Sequence, residues 1–253
     1  AEKSNIPKNL LRKSPPLLPE VSEMDTVRHY TRLSQKNFSI DTEFYPLGSC
    51  TMKYNPRACN SLAMLPQFLA RHPLAPEDTG QGFMACMYEL QEILKDVTGM
   101  AGVSLTPMAG AQGELIGVMM IRAYHQSQGR SPRKVLIPDS AHGTNPASVT
   151  LNQMECVPLK TSADGLLSAE TVRAAVAQHP GDIAGLMVTN PSTLGIFEEH
   201  IAEIAEIIHQ AGGLVYMDGA NFNALLGKVR PGATGVDVMH INLHKTFTTP
   251  HGG

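Results

Sequence analysis

An aspartate and a lysine stand at the ends of two successive apolar runs in this sequence. Asp218 follows the run 214–217, and Lys245 follows the run 238–242. A buried aspartate can hold a cationic ring nitrogen, and a lysine amine in apolar surroundings can act as a nucleophile. Taken separately, Asp218 is also a common turn or helix-cap residue, and Lys245 a common surface residue. Together they match the requirements of pyridoxal phosphate. This cofactor forms a Schiff base with a lysine amine, and its pyridine nitrogen is kept protonated by an acidic side chain.

That cofactor also requires a phosphate site, and one glycine-rich segment has the composition for it. The string AGAQGE (109–114) directly precedes a helical pattern. Small residues let the backbone approach an anion, and the first turn of a helix offers free N–H groups. The helix dipole adds only about 0.3–1 kcal/mol at an exposed site, so direct hydrogen bonds must provide most of the affinity. A plain glycine-rich turn accounts for the same letters equally well.

Polar segments follow four of the apolar runs, at 139–146, 190–195, 218–221 and 243–246. The carboxyl ends of parallel strands share one edge of a sheet, and ligands bind outside that edge. His142 belongs to the first segment and could stack on a pyridine ring, in a chain that has no tryptophan. A structural histidine is the rival interpretation.

The elements that must position these residues alternate between strand and helix patterns. The sequence predicts strands at 134–138, 155–159, 183–189, 214–217 and 238–242, and helices at 115–128, 168–179 and 199–211. This alternation indicates crossover units, and therefore an α/β fold with a mostly parallel sheet and helices on both faces.

Two further helices are predicted, one from the spacing of apolar residues and one within the proline-rich start of the chain. An apolar stripe over 83–97 predicts a helix that Gly99 ends. Residues 1–46 contain five prolines and only one short helical pattern, near 24–33, so they are expected to form an extended arm. In the helix 115–128, the inward side is expected to carry Leu115, Ile116, Met119, Met120 and Ala123.

Composition and charge narrow the function classes. The net charge is −3 and the isoelectric point is near 6.4, which argues against a nucleic-acid partner. No apolar run approaches the ~20 residues of a membrane span, and the first residues lack a secretion signal, so a cytoplasmic location is expected. The four cysteines form no CxxC pair, and His240 and His244 lie in a strand pattern, so no metal site is expected.

Longer strings resemble one family, the glycine decarboxylase P-protein of the glycine cleavage system. The strings are YPLGSCTMKYNP (45–56), SAHGTNPAS (140–148), MDGANFNA (217–224) and NLHKTF (242–247). They occur in the family's order and extend over nearly the whole chain from about residue 10. They are similar to the cofactor-carrying subunit 2 of the two-subunit bacterial form; half of a single-chain form would look similar.

The resemblance implies a fold type I pyridoxal-phosphate enzyme and assigns roles to individual residues. Lys245 would hold the cofactor as a covalent aldimine, Asp218 would pair with the ring nitrogen, and His142 would stack on the ring. The other cofactor-binding residues that it implies are Ala111, Gln112, Thr193, Ala220 and His244, and the substrate loop would carry Cys50 and Thr51.

The resemblance further implies decarboxylation of glycine, with transfer of the aminomethyl group to the lipoyl arm of the H-protein. It implies P-protein subunit 1 as a partner, in a hetero- or homo-oligomer. The expected organisation is an arm over 1–46 and a large cofactor domain over 47–253. Because the chain ends soon after Lys245, the C-terminal small domain is expected to be absent and the isolated chain inactive.

Two alternatives remain open at this stage. One is another fold type I enzyme, such as an aminotransferase or a cysteine desulfurase. The other is a non-catalytic fragment that needs a partner subunit.

Overall fold

The computed structural model describes residues 6–38, 42 and 56–247. Backbone contacts divide the chain into two units, Ala1–Tyr45 and Pro46–Gly253. The first unit contains a short 3-10 turn, Lys8–Leu10, and the helix α1, Glu23–Ser34, which confirms the helix predicted near 24–33. Ser22 begins α1 because its side chain accepts a hydrogen bond from the Asp25 N–H. The domain boundary at 46/47 stays a prediction.

The second unit contains eight α-helices and five strands in its described part. The helices are α2 (Arg57–Ala63), α3 (Pro66–Leu69), α4 (Gln81–Thr98), α5 (Gly110–Ser127), α6 (Thr144–Leu151), α7 (Ala169–Gln178), α8 (Ile201–Gln210) and α9 (Leu243–Thr246). The strands are β1 (Lys134–Pro138), β2 (Glu155–Leu159), β3 (Ile183–Thr189), β4 (Leu214–Asp218) and β5 (Val238–His240).

The five strands form one parallel sheet in the order β2-β1-β3-β4-β5. Three of the predicted strands have the observed bounds, whereas β4 is one residue longer than predicted and β5 two residues shorter. All five strands therefore end at the same edge, and the segments that follow β1, β3, β4 and β5 meet there.

Helices cover both faces of the sheet, as the alternating pattern predicts. On one face, Leu136, Leu186 and Val215 pack against residues of α7 and α8 such as Val172 and Ile204. On the other face, residues of α5 and α6 pack against the neighbouring strand residues; they include Val118, Ile121 and Val149. Each fully buried aliphatic side chain contributes about 1.5–3 kcal/mol of transfer free energy, so these two layers hold the sheet between them.

The buried side of α5 differs from the prediction. The helix begins at Gly110 rather than at residue 115, and its buried residues are Glu114, Gly117, Val118, Ile121 and His125. Of the residues expected inside, Met119 and Met120 are more than half exposed and Ala123 is also exposed, whereas Leu115 and Ile116 are half-buried. The prediction was wrong for the exposed residues because it followed the largest apolar side chains, whereas the face of α5 that meets the sheet combines Val118 and Ile121 with glycine and polar residues.

Glycines on that face let α5 approach the ends of β4 and β5. A Cβ on Gly117 would lie 2.4 Å from the Tyr216 ring, and a Cβ on Gly110 would lie 2.0 Å from the side chain of Asn242. Gly113, between them, faces the Cβ of His240 at 3.4 Å. Residues three or four apart share one helix face, so this face places the start of α5 against the carboxyl edge of the sheet.

The helix α4 confirms the other apolar stripe only in part. It spans Gln81–Thr98 and ends at Gly99, whose φ of 72° is the left-handed conformation that favours glycine. Leu94 is buried, whereas Phe83 and Met87 are exposed.

In the described part of the chain, no helix has the length and apolar character needed to cross a membrane.

Gly117→Ala should destabilise the fold by about 1–3 kcal/mol, because the new methyl group overlaps the buried Tyr216 ring. The better helix propensity of alanine, about 1 kcal/mol, offsets only part of this cost. The matched control is Gly82→Ala in α4, where nothing lies within 4 Å of the added Cβ. Chemical denaturation of both variants measures the difference; equal unfolding free energies would contradict the close packing of α5.

Candidate active site

Asp218 is a buried carboxylate at the carboxyl end of β4. It is only 6% exposed, and groups from three places in the fold lie against it. The Asn145 side-chain amide of α6 donates to Oδ2 at 3.0 Å, and the Ala220 N–H donates to Oδ1 at 3.0 Å. His240 Nε2, at the end of β5, lies 3.3 Å from Oδ1 as an ion-pair contact. The two hydrogen bonds and this contact compensate an anion that would otherwise be costly to bury.

His240 connects Asp218 to Tyr216 within the core. The Tyr216 hydroxyl lies 2.6 Å from His240 Nδ1, and both side chains are buried. Burial lowers the pKa of His240, although the nearby carboxylates of Asp218 and Glu114 act in the opposite direction. Burial also raises the pKa of the Tyr216 hydroxyl far above its ordinary value. A neutral imidazole between a protonated tyrosine and a carboxylate is therefore the favoured arrangement.

Glu114 is a second buried carboxylate, and it connects to His142. The Thr144 hydroxyl donates to Glu114 Oε2 at 3.0 Å, and the Ser148 hydroxyl donates to Oε1 at 2.8 Å. The Thr144 hydroxyl oxygen also lies 2.8 Å from His142 Nδ1. His142 itself is exposed at the rim of the sheet, as its position after β1 predicts. Thr144 therefore holds the Nδ1 side of this imidazole and leaves the rest of the ring exposed.

Lys245 and His244 lie on the single turn of α9, and both are partly buried. Two hydrogen bonds tie this segment to the loop after β4. The Phe222 N–H donates to the Thr246 hydroxyl at 2.9 Å, and the Asn242 N–H donates to the Ala220 carbonyl at 3.3 Å. Lys245 is also close enough to lower the pKa of His240. The structure therefore brings the predicted lysine and the predicted aspartate to the same edge.

Ala111 and Gln112 lie in the exposed first turn of α5. No side chain caps this helix start, and its first N–H groups lack helical acceptors. The Gln112 side chain instead accepts a hydrogen bond from the Met108 N–H, which holds the preceding loop. The turn can therefore offer backbone donors to an anion.

The remaining predicted residues differ in how far the structure describes them. Thr193, exposed in the loop after β3, donates from its hydroxyl to the Ser140 carbonyl in the loop after β1. Ala220 contributes the backbone N–H that binds Asp218. Cys50 and Thr51 lie outside the described residues.

Three buried polar atoms at this edge have no hydrogen-bond partner among the described residues. They are Asn145 Oδ1, Thr189 Oγ1 and Asn242 Oδ1. Thr189 ends β3 directly beside Asp218 in the sheet register, and Asn145 is the residue that donates to Asp218. An unpartnered buried polar group costs about 1–3 kcal/mol, so a cluster of them indicates a place where a polar ligand binds. These atoms, the start of α5, and the Asp218 and Lys245 side chains together fit a phosphorylated pyridine aldehyde.

Sequence reasoning missed Glu114, Asn145, Tyr216 and His240 as parts of this site. Glu114 gave one usable signal, a carboxylate inside a helical pattern directly after a glycine-rich segment. Tyr216 stands two residues before Asp218, so it shares a strand face with that aspartate. Asn145 lies in the polar segment 139–146 that the sequence places at this edge, but its contact with Asp218 could not be predicted because the two residues are far apart in the chain.

Glu114, Asp218 and His240 also have the composition of a metal site. Their ligand atoms lie within 4.8 Å of one another, and all three residues are buried. However, both oxygens of each carboxylate and both ring nitrogens of His240 already have protein partners. We therefore interpret the trio as polar groups that are held by other protein partners; the expected absence of a metal stays a prediction.

Comparison with known proteins gives a consistent result. The family model described as glycine cleavage system P-protein matches residues 2–252. A protein of Nitrosomonas eutropha named "Probable glycine dehydrogenase (decarboxylating) subunit 2" is 71% identical over 99% of this chain and 52% of its own length. A protein of Thiobacillus denitrificans with the same name is 66% identical over 98% of this chain and 51% of its own length. The chain thus spans about half the length of the curated relatives it matches.

A solved structure supports the fold. It is glycine decarboxylase (P-protein) of the glycine cleavage system in inhibitor-bound form, with a TM-score of 0.71 and 23% identity. The likeness covers 98% of this chain and 55% of that one. Together with the parallel sheet and its two helical layers, it confirms the predicted fold type I large-domain fold. The chain belongs to the glycine cleavage system P-protein family.

Proposed function

We propose that this chain binds pyridoxal phosphate at the carboxyl edge of its sheet and provides the cofactor site of a glycine decarboxylase. The observation that supports this most is the buried Asp218 carboxylate, which receives two hydrogen bonds and lies 3.3 Å from His240 Nε2. It lies at the edge that also carries the uncapped start of α5 and Lys245 on α9. The buried anion suits the ring nitrogen of this cofactor, the helix start suits its phosphate, and the amine suits its aldehyde.

In this proposal each group of the site has a separate task. The Lys245 amine holds the cofactor covalently, Asp218 faces its ring nitrogen, and the first turn of α5 binds its phosphate. The other residues proposed to contact the cofactor are Ala111, Gln112, His142, Thr193, Ala220 and His244. When bound, the cofactor supplies a sink for the electron pair that remains as carbon dioxide leaves the amino acid.

The fixed hydrogen bonds of Asp218 explain why it suits this task. An ionised carboxylate only accepts, so it favours a proton on a ring nitrogen placed against it. Donors on both oxygens hold the carboxylate in one orientation, so little reorganisation is needed when charge develops. Thr144 similarly orients His142, whose exposed ring can cover a flat ligand.

Glycine as the substrate, the lipoyl arm of the H-protein as the aminomethyl acceptor and a partner subunit 1 are proposed from the family alone. So is a cytoplasmic location. In the complete enzyme, we expect glycine-dependent exchange of radiolabelled carbon dioxide that requires H-protein. Amino transfer to a keto acid, without such exchange, would favour an aminotransferase instead.

Lys245→Ala should abolish covalent attachment of the cofactor while the protein still folds. The test is borohydride reduction in the presence of pyridoxal phosphate, followed by peptide mapping and a thermal melting curve. The label should appear on the peptide that contains Lys245 and be lost in the variant. The matched control is Lys228→Ala, an exposed lysine of the same unit that should leave the label in place. Undiminished labelling of Lys245→Ala would refute the assignment.

Asp218→Asn should lower the rate of carbon dioxide release by about a hundredfold, because a neutral amide no longer favours the protonated ring nitrogen. Cofactor affinity should fall less, by about tenfold, since the other contacts remain. Steady-state kinetics and a cofactor titration of the complete enzyme measure both. Asp139→Asn is the matched control, an exposed aspartate directly after β1 that binds Thr161. If both variants keep full activity, Asp218 is not the partner of the ring.

A further inference from the structure

Behind the candidate site, a hydrogen bond joins Tyr216 to His240, and His240 in turn lies against Asp218. All three side chains are buried, with Tyr216 1% exposed, Asp218 6% and His240 8%. The distances are 2.6 Å from the Tyr216 hydroxyl to His240 Nδ1 and 3.3 Å from His240 Nε2 to Asp218 Oδ1. Tyr216 and Asp218 lie two residues apart on β4 and therefore share one face of the strand. His240 on β5 pairs with Asp218 in the register of the sheet.

The chemistry of the three groups assigns the protons between them. A carboxylate only accepts, so the Asp218 oxygen 3.3 Å from Nε2 favours a proton on that nitrogen. In a neutral imidazole the other nitrogen, Nδ1, then carries a lone pair and must accept. The Tyr216 hydroxyl is therefore the donor to Nδ1, which agrees with its raised pKa and with the lowered pKa of His240. In this arrangement the Tyr216 hydroxyl and both ring nitrogens of His240 each face a complementary group.

We infer that Tyr216 and His240 are positioning residues for Asp218. The tyrosine hydroxyl donates to Nδ1 and so reinforces the Nε2–H tautomer that the carboxylate favours, with Nε2 held toward Oδ1. Without the hydroxyl, Nδ1 loses its donor, and the preference for this tautomer weakens. This inference rests on the proposed function, in which Asp218 faces the cofactor ring.

The surroundings of His240 support a neutral imidazole. The charged groups that act on it are Asp218 from β4, Glu114 from α5 and Lys245 from α9. Glu114 already receives two hydroxyl donors from α6, so its charge is partly compensated without His240. The Tyr216 ring packs against Gly117, so removal of the hydroxyl alone leaves the ring in place.

The first test reads the tautomer directly in the full chain without cofactor. Histidine-selective nitrogen NMR should show His240 with the proton on Nε2, its signal assigned by its loss in His240→Gln. Tyr216→Phe should shift that signal toward a mixture of tautomers. Tyr124→Phe, an exposed tyrosine on α5, is the matched control and should leave the signal unchanged. An Nδ1–H or doubly protonated ring in the native chain, or no shift in Tyr216→Phe, would overturn the inference.

The second test measures cofactor affinity in a double-mutant cycle with Asp218→Asn. Tyr216→Phe should weaken pyridoxal phosphate binding about three- to tenfold in the native background, because one buried hydrogen bond is lost. In the Asp218→Asn background the same change should cost less than twofold, since the tyrosine acts through the aspartate. Equal losses in both backgrounds would show a general effect on the fold and overturn the inference while leaving the proposed function intact. Unchanged affinity in Asp218→Asn alone would overturn both.

A pair of His240 variants keeps the test valid if Tyr216→Phe fails to fold. A glutamine amide can donate to Asp218 and accept from Tyr216, so His240→Gln should bind the cofactor within about threefold of the native chain. His240→Leu offers neither bond and should bind it at least tenfold more weakly. Equal affinities for these two variants, with unchanged melting temperatures, would also overturn the inference.

Discussion

The buried carboxylate of Asp218 is the constraint on which the carboxyl edge of this sheet depends. An unpaired buried charge would cost several kcal/mol, so the fold has to deliver hydrogen-bond donors to both oxygens. The Asn145 amide of α6 donates to one oxygen and the Ala220 N–H in the loop after β4 donates to the other, while His240 at the end of β5 lies 3.3 Å from the carboxylate. A shift of any of these elements would leave part of the charge uncompensated, so the carboxylate fixes their relative positions.

The short helix α6 connects this carboxylate to the second one. Asn145 donates to Asp218, while Thr144 and Ser148 donate to Glu114 on α5. One helix of eight residues thus satisfies two buried acids that belong to different elements. On the same helix as Glu114, the absence of side chains at Gly113 and Gly117 lets α5 lie close to the sheet. The glycine face and the acid network are therefore two parts of one arrangement.

Most of the strands of the sheet can be predicted from the sequence, but few of the residues in this hydrogen-bond network can. Strand positions follow from runs such as 183–189, which are buried on both faces and bounded by turn residues. Asp218, His142 and Lys245 could be predicted as site residues because they follow such runs, and the carboxyl ends of parallel strands share one edge of the sheet. The helix α6 escaped prediction because Thr144, Pro146 and Val149 are poor signals for a helix. The buried face of α5 was predicted wrongly because large apolar side chains decided the assignment, whereas close approach to the sheet required small ones.

The unpartnered atoms at the same edge show how stability and binding compete. Asn145, Thr189 and Asn242 each bury a polar atom without a partner in the described structure, at a cost of about 1–3 kcal/mol each. Asn145 nevertheless stays in place, because its amide nitrogen is needed by Asp218. The Asn242 backbone N–H joins the segment of Lys245 to the loop after β4, which places the Asn242 side chain beside Gly110 at the start of α5. The residues that build this edge thus leave acceptors unfilled beside the acid and the helix start. A ligand that donates to those acceptors would gain affinity from a cost that the protein already bears.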